Sequence, residues 1–184
     1  MVTLAYLSTL ERRVFRILCI HVGEALSQSA IAELSNATPQ GVAKALRTLI
    51  QANLATVERD PRLNLNRAAL HETAVPYKRA ENLLQLAESG LIDHLARANP
   101  TATIVLFGSY SRGEDTITSD IDIAIIGPSR DTDLAAFETK LFRTISINRY
   151  ESFKTIHAQL RENLCNGIVL AGSIRWSERS RPTP

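Results

Sequence analysis

The residues of this 184-residue chain best spaced for chemistry are the aspartates at positions 120 and 122. They stand at the head of the apolar run Ile121 to Ile126, which reads as a strand, and strand side chains alternate between faces with a period of two. Asp120 and Asp122 therefore share one face, and Ile121, Ile123 and Ile125 take the other. Carboxylates held about 4 Å apart repel by roughly 4 kcal/mol at an effective dielectric near 20. A cation or a shared proton must offset that repulsion. An all-oxygen donor set of this kind suits Mg²⁺, which typically takes one or two carboxylates together with substrate phosphates.

A second polar feature precedes the pair. Ala102 to Phe107 is an almost continuous apolar run, the pattern of a strand covered on both faces, and it stops at Gly108-Ser109. A glycine there lets the backbone turn tightly and approach a ligand closely. Ser109 adds a hydroxyl and amide donors suited to phosphate oxygens. A Gly-Ser turn ahead of two paired carboxylates reads as a site for a nucleoside triphosphate with Mg²⁺.

The residues Gly108-Ser109-Tyr110-Ser111-Arg112-Gly113-Glu114, followed by Ser119-Asp120-Ile121-Asp122, resemble the signature of the DNA-polymerase-β-type nucleotidyltransferase superfamily, above all its minimal prokaryotic branch. The resemblance implies that Gly108, Ser109 and Arg112 bind the nucleotide, and that Asp120 and Asp122 are both the catalytic carboxylates and the Mg²⁺ ligands. It also implies in-line displacement at the α-phosphorus with pyrophosphate leaving, the metal ions stabilising the transition-state charge. Active members usually carry a third carboxylate on the third strand. Thr144 aligns at that position here, and no acid lies between Glu138 and Glu151. A general base contributes about 100- to 10,000-fold, so two functions stay open. One is an enzyme transferring a nucleoside monophosphate from Mg-NTP, with ATP the expected nucleotide, to a hydroxyl acceptor on a protein, nucleic acid or small molecule. The other is a DNA-binding regulator whose transferase-like domain senses a nucleotide or partner without turnover.

Elements must position these groups, and the chain before them reads as a separate unit. Thr9 to about Val22 is an amphipathic helix closed by Gly23. Ser27 caps a second helix, Gln28 to Leu34, with Ile31 and Leu34 as its buried edge. Ser35-Asn36-Ala37 turns the chain, and Thr38 caps a third helix with Pro39 at its first position. That helix, Pro39 to about Gln51, points Val42, Leu46, Leu49 and Ile50 inward. Its outer face carries Gln40, Lys44, Arg47, Thr48 and Gln51, amides, a hydroxyl and cations of the kind that read base edges and grip phosphates. Leu54 to Glu58 and Arg62 to Asn66 read as a hairpin about the Asp60-Pro61 turn. The whole resembles a winged helix-turn-helix domain. Between Thr38 and Arg67 five cations face two acids, a charge pattern that would attract duplex DNA. DNA-binding winged helices are often dimers, so a homodimer is expected by analogy.

Pro76 is expected to break the chain between the units, giving a winged helix-turn-helix domain over 1–75, a nucleotidyltransferase-like domain over 76–175 and a polar tail over 176–184. The fold class is α+β, the second unit being a small mixed sheet with helices. In that unit Tyr77 to about His94 reads as one or two helices with a possible break at Ser89-Gly90. Leu134 to Phe142 reads as a helix with Leu134, Phe137, Leu141 and Phe142 inward, Thr144 to Ile147 as the third strand, Phe153 to Leu164 as a helix, and Gly167 to Gly172 as a closing strand.

Composition sets the outer bounds. With 45% hydrophobic and 22% charged residues the chain is globular rather than disordered, and a net charge of +2 selects no partner. No apolar run approaches the roughly 18 residues of a bilayer span. Glu11, Arg12, Arg13 and Arg16 interrupt what would imitate a signal peptide, so no membrane partner and a cytoplasmic location are expected. Cys19 and Cys165 are expected to be buried free thiols, and the four histidines show no ligand spacing.

Overall fold

The computed structural model describes residues 6–60 and 65–174. The chain opens with α1 (Thr9–Ile20), started by a capping box in which Ser8 Oγ accepts from the Glu11 amide while the Glu11 carboxylate accepts from the Ser8 amide at 2.7 Å. Strand β1 (Leu26–Ser27) leads into α2 (Gln28–Leu34), capped by Ser27, and α3 (Pro39–Gln51), capped by Thr38. Strands β2 (Ala55–Asp60) and β3 (Leu65–Leu70) pair antiparallel, and β1 adds to the other edge of β3. Val14, Phe15, Leu18, Ile31, Val42, Leu46, Leu49 and Leu54 close into one core between the helices and this small sheet. Helix, helix-turn-helix and hairpin in that order form a winged helix-turn-helix.

Several local expectations change. The returning strand is β3, ending at Leu70 rather than Asn66, because its apolar positions Ala68 and Leu70 are the ones that meet the core. Pro61 and the residues up to 64, which include Arg62, lie outside the described residues. Leu34 and Ile50 are 51% and 39% exposed. Ala32 takes the place on α2 expected of Leu34, and Ile50 sits one step around α3 from the buried Leu49.

Pro76 does not break the chain. It lies in the first turn of α4 (Val75–Ser89), where its missing amide proton costs no helical hydrogen bond. Gly90, at φ +84°, separates α4 from α5 (Leu91–Ala98). The remaining elements are β4 (Thr103–Phe107), α6 (Gly108–Arg112), β5 (Ile121–Ile126), α7 (Ala135–Leu141), β6 (Ile145–Tyr150), α8 (Ala158–Cys165) and β7 (Ile168–Ala171). The sheet order is β6-β5-β4-β7, with β5 and β6 parallel and the other pairs antiparallel. One face packs Ile104, Leu106, Ile121, Ile123 and Ile125 against Leu86, Leu91 and Leu95. The other packs Val105, Phe107, Ala124 and Ile126 against Ile156 and Leu164.

Here too the sequence pattern misleads in places. Phe142 is 68% exposed rather than inward. The helix expected over Phe153 to Leu164 is a 3-10 turn (Phe153–Thr155) followed by α8, and Cys165 is exposed while Cys19 is buried. Trp176 and the tail lie outside the described residues. Among the described residues no helix is long and apolar enough to cross a membrane.

Helix α4 joins the two units through polar side chains. Lys78, Glu81, Asn82 and Gln85 are all buried on it. Lys78 Nζ pairs with the Asp115 carboxylate and donates to the Asp115 carbonyl at 2.7 Å, and Asn82 Nδ2 donates to Asp115 Oδ1 at 2.7 Å. Arg16 of α1 reaches Glu81 at 2.5 Å and Glu88 at 2.9 Å. Arg143 Nη2 donates to the Ile20 carbonyl at 2.6 Å. Burial raises Glu81 above the ordinary carboxylate range despite Arg16, and burial lowers Lys78 despite Asp115. Gly113 lies flush with α4: it has φ +77°, and a Cβ there would come within 2.7 Å of the Val75 carbonyl and 2.8 Å of the Arg79 amide.

Candidate functional site

The apolar strand β4 ends at Gly108, whose φ of +74° swings the backbone into α6. Phe107 lies opposite Asp122 in the antiparallel register of β4 and β5. That register brings the Asp122 carboxylate against Gly108, and any Cβ at 108 would overlap Asp122 Oδ2. Glycine is thus required twice, by the backbone angle and by the neighbouring carboxylate. The Gly108 carbonyl accepts from Ser111 Oγ at 2.8 Å, which tightens the turn. Tyr110 is buried beneath it, and its backbone carbonyl accepts from Asn82 Nδ2 at 3.0 Å. Ser109 is half-buried at the start of α6.

Asp122 is the second residue of β5, and Asp120 lies just ahead of the strand. Asp122 is half-buried and Asp120 exposed. Burial raises the Asp122 carboxyl above its ordinary value, and the charge of Asp120 pushes it the same way. A half-buried carboxylate whose ionisation is disfavoured by burial and by a neighbouring carboxylate, beside a glycine turn, fits a divalent cation together with that neighbour as donor set. Ser119 shapes the site in a way that its place in the motif does not reveal: its Oγ accepts from the Thr116 amide at 2.9 Å and fixes the loop that delivers Asp120. The Ile117 amide of that loop donates to the Val22 carbonyl at 3.0 Å, tying it to the end of α1.

The parallel register of β5 and β6 places Ser146 beside Asp122 and Asn148 beside Ala124, while the Thr144 carbonyl accepts from the Ile121 amide at 2.9 Å. The β6 positions beside the aspartates are therefore neutral. Among the described residues no three His, Cys, Asp or Glu side chains gather in a metal-binding group. Arg112 Nε pairs with Glu114 at 2.7 Å on the surface, and both side chains are about half exposed.

On α3, Gln40, Lys44, Arg47 and Gln51 are exposed, whereas Thr48 is half-buried and donates to the Lys44 carbonyl at 3.5 Å. Thr48 lies on the side of α1: the Ser8 amide chiefly holds Glu11 below the ordinary carboxylate range, and Thr48 and Lys44 add smaller contributions. Arg13 Nη1 donates to the Ser35 carbonyl at 2.7 Å and braces the turn between α2 and α3.

Residues 89–175 match the family model of the nucleotidyltransferase domain. No curated protein matches the chain. Solved structures similar to it include a zinc-responsive MarR family member, Lactococcus lactis ZitR, at 25% identity and a TM-score of 0.38 over 50% of this chain and 65% of that one. The adhesin competence repressor AdcR of Streptococcus pyogenes is 16% identical, with a TM-score of 0.43 over 51% of this chain and 69% of that one. S. aureus MepR in its DNA complex is 17% identical, with a TM-score of 0.39 over 50% of this chain and 80% of that one. The chain thus spans about 65% of the length of ZitR.

Proposed function

We propose that residues 76–175 bind a nucleoside triphosphate with Mg²⁺ and transfer its nucleoside monophosphate to a hydroxyl acceptor, and that residues 1–75 bind double-stranded DNA. The observation that carries the first part is the fit of the Asp122 carboxylate against Gly108 at the mouth of the Gly-Ser turn, with Asp120 beside it. Ser109 Oγ and the first amides of α6 are the donors for phosphate oxygens, and Arg112 is near enough in sequence to exchange Glu114 for a phosphate. Asp120 and Asp122 hold Mg²⁺, which when bound neutralises charge building on the phosphates. Asp120, the more exposed carboxylate, is the group placed to take the proton of the acceptor hydroxyl.

Titration calorimetry with each NTP, with and without Mg²⁺, followed by α-labelled NTP in a cell lysate, tests this. Asp120→Asn with Asp122→Asn is expected to abolish Mg²⁺-dependent binding and labelling; unchanged labelling would overturn the proposal.

The neutral Ser146 facing Asp122 favours a second reading, a DNA-binding regulator that senses a nucleotide without transferring it. Mg²⁺-dependent binding without label transfer supports it. For the DNA face, Lys44→Ala with Arg47→Ala should weaken duplex binding and lower the slope of log K against log salt by about 0.9 for each phosphate left without its cation. An unchanged slope would remove those residues from the interface.

A further inference from the structure

Phe142 is unfavourably placed in two respects. It caps α7 at φ +54°, a backbone region where a bulky side chain is an outlier and glycine or asparagine is usual, and its ring is 68% exposed. Residues held in this way cluster at ligand sites, where the surroundings over-determine them. The ring borders a cavity of about 360 Å³ that also reaches Ser119, Asp120, Glu138, Arg143 and Thr144. Arg143 is only 6% exposed. It donates to the Phe142 carbonyl at 3.0 Å and to the Ile20 carbonyl at 2.6 Å and lies 3.5 Å from Asp115 Oδ2, so the guanidinium is anchored in the buried junction and holds the backbone that carries Phe142.

A flat apolar face with the Glu138 carboxylate and the hydroxyls of Ser119 and Thr144 around one opening, next to Asp120, matches a planar ring with polar groups along its edge. We infer that this cavity is the subsite for the nucleobase of the triphosphate, with Phe142 as its stacking platform. This rests on the nucleotide-binding reading of Asp120 and Asp122. The same ring chemistry arises if the acceptor, rather than the nucleotide, is aromatic.

The test titrates NTPs and inorganic tripolyphosphate, each with Mg²⁺, into the full chain and its Phe142→Gly and Phe142→Tyr variants. Phe142→Gly should lower NTP affinity about tenfold or more and leave tripolyphosphate binding unchanged, while Phe142→Tyr retains both. Glycine relaxes the backbone at 142, so the glycine variant should melt no lower than the parent, which separates loss of stacking from loss of fold. NTP affinity indifferent to Phe142→Gly, with tripolyphosphate still bound, overturns the nucleobase assignment and leaves the phosphate site standing. A Phe142→Gly variant that binds NTP normally but loses label transfer assigns the ring to the acceptor and likewise overturns it. A parent protein that binds neither ligand overturns the nucleotide site and this subsite together.

Discussion

Helices α3 and α4 are similar in length, 13 and 15 residues, and both are packed, yet they bury opposite kinds of side chain. α3 turns Val42, Ala45, Leu46 and Leu49 inward and its amides and cations out. α4 turns Lys78, Glu81, Asn82 and Gln85 inward, with Leu86 its one buried aliphatic side chain. The difference follows from what each meets. α3 faces the apolar sides of α1 and the wing, whereas α4 faces the loop at Asp115 and the end of α1, where backbone carbonyls and carboxylates need partners. An apolar α4 would leave those groups dry and unpaired, at about 1–3 kcal/mol each.

Removing one partner from the α4 network is the most damaging change expected. Lys78→Ala leaves the buried Asp115 charge with Asn82 and, 3.5 Å away, Arg143 as its partners and should cost about 3–5 kcal/mol in urea denaturation, and a loss under about 1 kcal/mol would mean that Arg143 compensates the charge. Next in size is Leu49→Ala on α3, where a cavity in a dry core should cost about 3 kcal/mol. If Leu49→Ala proved the costlier, the polar junction would be the weaker of the two.

A smaller effect separates the helices by pH. Because burial raises Glu81, the folded state holds its proton to higher pH than the unfolded chain does. Its contribution is therefore most favourable below the ordinary value of 4.5 and is lost as pH rises through the raised value. Glu81→Gln should flatten that part of the stability profile, and an unaltered slope would show that Arg16 sets the ionisation. Leu34→Gln, at an exposed position on α2, should change stability by no more than about 0.5 kcal/mol.

The contrast also explains what can be read from sequence. The bounds of α2, α3 and β5 follow from Ser27, Thr38 with Pro39, and the isoleucine run, because caps and periodicity act locally. The paired aspartates and the Gly-Ser turn are legible for the same reason. The polar face of α4 is not, since Leu83, Leu84 and Leu86 suggest an apolar stripe while the partners of Lys78 and Asn82 lie 37 and 28 residues away. The tight approach of Asp122 to Gly108 likewise depends on register rather than spacing. Phe142 departs from its expected inward place because hydrophobicity says nothing of a backbone angle.

The seating of Gly113 on α4 bears on how the two halves were joined. The family match begins at residue 89, yet the face on which Gly113, Tyr110 and Asp115 rest is made by residues 75–85. A cut at residue 89 would strip that face away, so the two halves are not interchangeable cassettes. Recombination that moved the nucleotidyltransferase-like half to a new partner would have to carry α4 with it.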